Sequence, residues 1–268
     1  MANQRNKKGE NIGISWCDAT VNLWWGCTKV HAGCDNCYAE TLSHRWGNDI
    51  WGEGKDRKKI KSAFNDLNKY QKEAEQKGIE VRVFVGSMMD IFEKSKPISN
   101  KHLLAETTED LRNELFSRIS EGKYNNLTFL FLTKRPSNIN KQIPLDWQNY
   151  PPKNVWFGCS PVDQKTFENL VPMIQQVNGN LFLSVEPQLG EIKGIDLTGI
   201  GWVIQGGESG HGKRPFDLLW ADRLKLECRS QNVPYFFKQI DKIQEIPEEY
   251  LVRELPFKSV GEKIIKTV

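Results

Sequence analysis

The stretch Thr128-Phe129-Leu130-Phe131-Leu132-Thr133-Lys134-Arg135 is apolar at consecutive positions and then stops at two cations. A strand without polar alternation belongs in a sheet covered on both faces, the usual setting of parallel strands. Runs of the same form recur at 81–86, 155–158, 181–185, 202–205 and 235–238. Between several of them the spacing turns helical. Leu104, Leu111, Leu115 and Ile119 share one face, and Phe167, Leu170, Val171 and Ile174 share another. Pro172 is expected to kink that second helix or to start a new one. Asp217 reads as the N-cap of a third helix carrying Leu218, Leu224 and Cys228. Strand–helix alternation of this kind predicts βαβ units with right-handed crossovers. The expected fold is α/β, a full or partial (β/α) barrel of about six to seven parallel strands, with an open doubly wound sheet as the alternative.

The chain of 268 residues is long enough for one such domain, so a single domain over 1–268 is expected. Residues 1–11 are polar and basic and read as a disordered tail, not as a secretory signal. The stretch from about 44 to 78 differs in composition and reads as a basic, aromatic insertion. A net charge of +3 allows only a mild preference for acidic partners and does not define a nucleic-acid binder. No apolar run approaches the ~20 residues of a membrane helix. No membrane partner and a cytoplasmic location are therefore expected, where disulfides are disfavoured and clustered cysteines point to metal or redox chemistry.

Three of the six cysteines fall within one segment, Gly26-Cys27-Thr28-Lys29-Val30-His31-Ala32-Gly33-Cys34-Asp35-Asn36-Cys37-Tyr38, with the spacing Cys-x6-Cys-x2-Cys. Cys17, Cys159 and Cys228 are scattered and read as small buried hydrophobes. Thiolates select soft metals, which leaves zinc or iron–sulfur. Structural zinc needs a fourth ligand, and His31 lies inside the loop to supply it. A four-iron cluster on three cysteines keeps one iron open for a cofactor or substrate.

The strand exits carry Ser87-Met88-Met89-Asp90, Thr133-Lys134-Arg135, Cys159-Ser160, Glu186-Pro187, Gly206-Gly207-Glu208-Ser209 and Lys238-Gln239. Ligands of barrels and open α/β sheets bind at these carboxyl ends. Any one polar exit is unremarkable for a loop; six that can ring one pocket are more informative. Lys134 and Arg135 suit a carboxylate or phosphate, Glu186 suits ribose hydroxyls, and Glu208 suits an ammonium or hydroxyl. Gly207 to Lys213 imitates a phosphate-binding loop, but Arg214 stands where Ser or Thr is needed and Pro215 interrupts the helix, so nucleotide hydrolysis is rejected. Lys55, Arg57, Lys58, Lys59 and Lys61, flanked by Trp46, Trp51 and Phe64, suit phosphate contact with base stacking, or else a solvated charge run.

Several segments together resemble an uncharacterised phage-associated family with a three-cysteine motif. They are Ile14-Ser15-Trp16-Cys17-Asp18-Ala19-Thr20, the cysteine segment, Leu132-Thr133-Lys134-Arg135-Pro136, Asn154-Val155-Trp156-Phe157-Gly158, Ser184-Val185-Glu186-Pro187, Val203-Ile204-Gln205-Gly206-Gly207-Glu208-Ser209-Gly210 and Val233-Pro234-Tyr235-Phe236-Phe237-Lys238-Gln239. The cysteine loop on a strand–helix barrel is similar to the radical S-adenosylmethionine (SAM) superfamily. That resemblance implies a [4Fe-4S] cluster on Cys27, Cys34 and Cys37, and SAM chelating the open iron. It also implies an electron donor and reductive SAM cleavage to start radical chemistry. Ser87, Asp90, Lys134, Ser160, Glu186, Gly206, Gly207 and Glu208 are then expected to line the cofactor and substrate pocket, with nucleic acid the substrate class to test first. Two departures stand: the superfamily's usual first gap is three residues where this chain has six, and its Gly-Gly-Glu follows an early strand where Gly206-Gly207-Glu208 follows a late one. The reading from another class is a zinc-stabilised nucleic-acid or protein binding module, closed by Cys27, His31, Cys34 and Cys37, without catalysis.

Overall fold

The computed structural model describes residues 14–99 and 106–257; the tail expected over 1–11 and the helical position Leu104 lie outside the described residues. The strands are β1 (Ala19–Val21), β2 (Trp24–Trp25), β3 (Lys58–Lys59), β4 (Val81–Val85), β5 (Leu127–Thr133), β6 (Val155–Cys159), β7 (Asn180–Val185), β8 (Ile200–Gly206) and β9 (Tyr235–Gln239). The helices are α1 (Tyr38–Arg45), α2 (Ala63–Lys77), α3 (Thr108–Ser120), α4 (Ile139–Gln142), α5 (Gln164–Ile174) and α6 (Leu218–Ser230). Seven strands form one parallel sheet in the order β1-β4-β5-β6-β7-β8-β9. β2 and β3 form a separate antiparallel ribbon.

Spatial order follows chain order without reversal. Right-handed crossovers then put the connecting helices on one side of the sheet, which curls into a half-barrel. A doubly wound sheet needs a reversal of strand order, so that alternative is excluded. The two-residue period of the strands sorts their side chains between two cores. Val83, Val85, Phe129, Phe131, Phe157, Leu183, Val203 and Phe237 pack outward against Leu67, Leu115, Phe116, Phe167, Val171 and Leu224 of the helices. Phe84, Leu130, Phe182, Trp202, Ile204 and Phe236 face the concave side.

An open half-barrel leaves that concave side short of partners, and both ends of the described chain fill it. The Trp16 ring lies 4.7 Å from Phe84 and 6.2 Å from Trp202. Phe257 packs 5.2 Å from Trp156 and 5.6 Å from Trp202, near the amino ends of β6 and β8. Trp202 Nε1 donates to the Glu254 carbonyl at 3.0 Å. The amino-terminal mouth is thereby plugged, and the carboxyl-terminal mouth is left for chemistry.

Asp217 caps α6 as expected, its side chain accepting from Leu219 N–H. Pro172 sits inside α5 near its end rather than starting a new helix. The stretch 44–78 is only in part an insertion: its second half is α2, whose buried Ala63, Leu67 and Ala74 join the outer core beside β1, β4 and β5. No helix among the described residues is long and apolar enough to cross a membrane.

Candidate metal and cofactor site

The inward alternation of the strands, carried one residue past the ends of β5, β6 and β7 and to the last inward position within β9, builds the site. Leu130 and Leu132 lead to Lys134, Trp156 and Gly158 to Ser160, Phe182 and Ser184 to Glu186, and Phe236 to Lys238. All four exit residues line one cavity of about 290 Å³, together with Ser87, Asp90 and the three thiols Cys27, Cys34 and Cys37. Its floor is Ile14, Trp16, Phe84 and Leu132. Five of the eight expected pocket residues therefore come together: Ser87, Asp90, Lys134, Ser160 and Glu186.

Gly206, Gly207 and Glu208 are not among the lining residues. The register between β8 and β9 shifts at Gln205/Gly206, so alternation stops predicting direction there. A Cβ on Gly206 would lie 2.9 Å from Glu186 Oε1, and one on Gly207 would collide with the Ile240 carbonyl. These glycines allow close packing of neighbouring chain, not approach of a ligand. Glu208 is 5% exposed and fully engaged. It accepts from Arg214 Nε at 3.0 Å and from Asn36 Nδ2 at 2.9 Å. Burial pushes its carboxyl up, but the hydrogen bonds from Arg214 and Asn36 outweigh that and hold it below the ordinary value.

The cysteine loop is held by cations from the barrel. Gly26, at φ +114°, turns beneath the Ile50 carbonyl with Arg57 Cδ close by, a space that excludes any side chain. Arg57 is fully buried, and its guanidinium pairs with Glu93 at 2.8 and 2.9 Å while donating to Thr28 Oγ1 at 2.9 Å. Arg135 pairs with Asp90 at 2.7 Å, donates to the Thr28 carbonyl, and lies 3.8 Å from Cys27 Sγ. Cys37 occupies the N-cap position of α1, and Tyr38 donates to the Ser87 carbonyl at 2.8 Å.

Burial pushes the Cys27 thiol up to about 12, helped by Asp90 and Glu93 and opposed by Arg135. Burial raises Cys37 as well. Such thiols keep their protons at neutral pH, and a metal ion would have to displace them. His31 is lowered to about 4, first by burial and then by Lys134, so it is neutral at pH 7. Its Nδ1 accepts from Gly33 N–H at 3.1 Å, which assigns the ring proton to Nε2. A neutral imidazole has one lone-pair nitrogen, and here the backbone takes it.

No group of three or more His, Cys, Asp or Glu among the described residues is gathered tightly enough for a single metal ion. The three thiols instead open onto a shared cavity. Mononuclear zinc draws its sulfurs in to about 2.3 Å. A polynuclear cluster presents separate metal corners, so its ligands stand farther apart. Three thiols on one cavity are the donor type that soft metals, as zinc or iron–sulfur, take.

The basic stretch reads differently in three dimensions. Arg57 is the buried strut just described, Lys55 pairs with Asp49 at 2.5 Å, and Lys59 pairs with Glu106. Lys58 donates to Asn48 Oδ1 at 2.7 Å and stands 5.7 Å above the Trp25 ring. Arg57's role depends on Glu93, distant in sequence, and no local signal marks it. The aromatic floor was equally hidden, because Trp16 lies outside any recognisable strand.

Fold and site together define a half-barrel α/β protein with a three-thiol cavity at the carboxyl-terminal mouth of its sheet. The chain belongs to the family described as protein of unknown function (DUF5131), whose model matches residues 11–256. No curated protein and no solved structure matches it.

Proposed function

We propose that the chain is a cytoplasmic iron–sulfur enzyme of the radical-SAM type. The observation that carries the proposal is the convergence of Cys27, Cys34 and Cys37 on the cavity where the strand exits also meet. Cys27, Cys34 and Cys37 would hold a [4Fe-4S] cluster with one iron left for SAM. When bound and reduced by an electron donor, the pair would supply a carbon radical able to take hydrogen from a substrate. The chain's own residues do the rest. Trp16, Phe84 and Leu132 give the cavity an apolar floor that excludes water. Arg135 places a fixed positive charge beside the Cys27 sulfur, which favours its thiolate. Glu186 lies 2.7 Å from Lys238 Nζ, though not aligned for a hydrogen bond, and Ser184 donates to its other oxygen at 3.0 Å. The Glu186 side chain is thus fixed at the cavity wall, able to accept from an ammonium or ribose hydroxyl.

A zinc-stabilised binding module remains the reading from another class. It needs the His31 lone pair, which the Gly33 N–H occupies. The deciding experiment is anaerobic reconstitution with iron and sulfide, then electron paramagnetic resonance of the reduced protein with and without SAM. A four-iron signal that shifts on SAM addition is expected, lost on replacing any of the three cysteines by Ala and retained in Cys228→Ala. Stoichiometric zinc and no iron signal would sink the proposal.

A further inference from the structure

The cavity is lined by five cations, Lys29, Lys134, Arg135, Lys238 and Lys242, against two carboxylates, Asp90 and Glu186. Three of the cations are neutralised: Lys29 by Glu40 at 2.8 Å, Arg135 by Asp90 at 2.7 Å and Lys238 by Glu186 at 2.7 Å. Lys134 and Lys242 have no carboxylate at ion-pair distance among the described residues. A second observation points the same way. Ser160 is 1% exposed, its hydroxyl has no hydrogen-bond partner among the described residues, and it lines the cavity at the exit next to that of Lys134. Its N–H bonds the Thr133 carbonyl at 3.2 Å, which sets the two exits side by side. A buried hydroxyl is costly to leave without a partner, and this one faces a cavity from which a ligand atom could supply it.

We propose that Lys134 and Ser160 form an oxyanion subsite, with Lys242 at the cavity rim, and that it takes the phosphate of a small phosphomonoester such as a nucleotide. This rests on the proposed function only for what happens next; the subsite itself is built by residues of this chain. Two unpaired cations match a phosphate dianion better than a carboxylate. An oxidised four-iron cluster on three thiolates and SAM carry opposite single charges, so their binding in that state leaves the excess of positive charge in place. A small ligand is favoured over a polymer because three of the five cations in the basic stretch already have carboxylate partners within the chain: Glu93 for Arg57, Asp49 for Lys55 and Glu106 for Lys59.

The test is calorimetric titration of the full chain, before and after reconstitution, with inorganic phosphate, 5′-AMP and adenosine at low ionic strength. Phosphate and 5′-AMP should bind, and adenosine should bind at least tenfold more weakly than 5′-AMP. Affinity should rise between pH 5.5 and 7.5 as the phosphate, with its second pKa of about 6, becomes a dianion. Lys134→Gln and Ser160→Ala should each weaken 5′-AMP, Lys134→Gln by tenfold or more, while Lys55→Ala changes nothing. Equal binding of adenosine and 5′-AMP, or an unchanged affinity in Lys134→Gln, overturns the subsite. Tighter binding of an oligonucleotide lacking terminal phosphates overturns the small-molecule assignment. Iron and sulfide are measured on the same samples. Phosphate binding without a cluster leaves the subsite standing and removes the radical reading; a cluster without phosphate binding does the reverse.

Discussion

Arg57→Met removes the cation beneath the cysteine loop, and its cost can be worked from the contacts. The side chain is fully buried and pairs with Glu93 through two hydrogen bonds of 2.8 and 2.9 Å. It also satisfies the carbonyls of Ile50 at 3.1 Å, Gly52 at 3.2 Å and Lys55 at 2.8 Å. Removing one member of a buried pair costs about 3–5 kcal/mol, because the other charge is left without compensation. That is a large part of the 5–15 kcal/mol typical of a domain, so the variant should fold but melt early. The loss should depend on pH. Burial raises the Glu93 carboxyl above its ordinary value, with Arg57 opposing. Without Arg57 the folded value rises further, so the folded state binds its proton more tightly than the unfolded chain does. Destabilisation is then greatest above the raised value and shrinks as pH falls toward the ordinary carboxylate range. Urea unfolding at pH 8 and pH 5.5 should show the smaller loss at pH 5.5, and Arg57→Met with Glu93→Leu should recover most of it. A loss under about 1 kcal/mol at both pH values, or a double variant no better than the single, would refute the strut assignment.

Gly26→Ala places a Cβ at positive φ against the Ile50 carbonyl and 2.7 Å from Arg57 Cδ. It should cost at least about 1–3 kcal/mol and lower iron loading, measured by denaturation and iron analysis. Trp16→Ala empties the concave core and should cost about 3–5 kcal/mol by urea unfolding; near-neutrality would mean that Trp16 does not fill the half-barrel. The Glu208 carboxyl, held below its ordinary value, contributes stability that is present at neutral pH and is lost as pH falls through its folded value. Protection factors at 207–214, corrected for the intrinsic pH dependence of exchange, should therefore fall in acid, and Glu208→Gln should show the lower protection already at pH 7.

The six strands read from consecutive apolar runs all form, because burial on both faces writes itself into local sequence. β1 escaped, since three residues carry no periodicity. The rule that ligands bind at the carboxyl ends of such strands also put Lys134, Ser160 and Glu186 at the cavity, so that much of the site was legible. It failed at Gly206 to Glu208, where a register shift breaks the period, and no single sequence displays a register shift. It failed again at Arg57, which sits among lysines and looks solvated. Its burial is decided by Glu93, thirty-six residues away, and long-range pairing leaves no local trace.

These hidden pairs have a common purpose. Arg57 with Glu93 reaches Thr28 Oγ1, Arg135 with Asp90 reaches the Thr28 carbonyl, and Arg214 with Glu208 reaches the Ala32 carbonyl at 3.0 Å. Each arginine is neutralised by a barrel carboxylate and spends a remaining N–H on the cysteine loop. A loop whose regular structure is confined to the short turn over Ala32–Cys34 has little hydrogen bonding of its own to fix three thiols. The guanidinium fork supplies that rigidity, since one side chain can hold a carboxylate and a loop oxygen at once. Asp90 and Glu208, attractive from sequence as ligand-binding acids, are therefore counter-charges for hooks. With the two acids committed, the cavity groups without an ion-pair partner among the described residues include the three thiols and Lys134 beside Ser160.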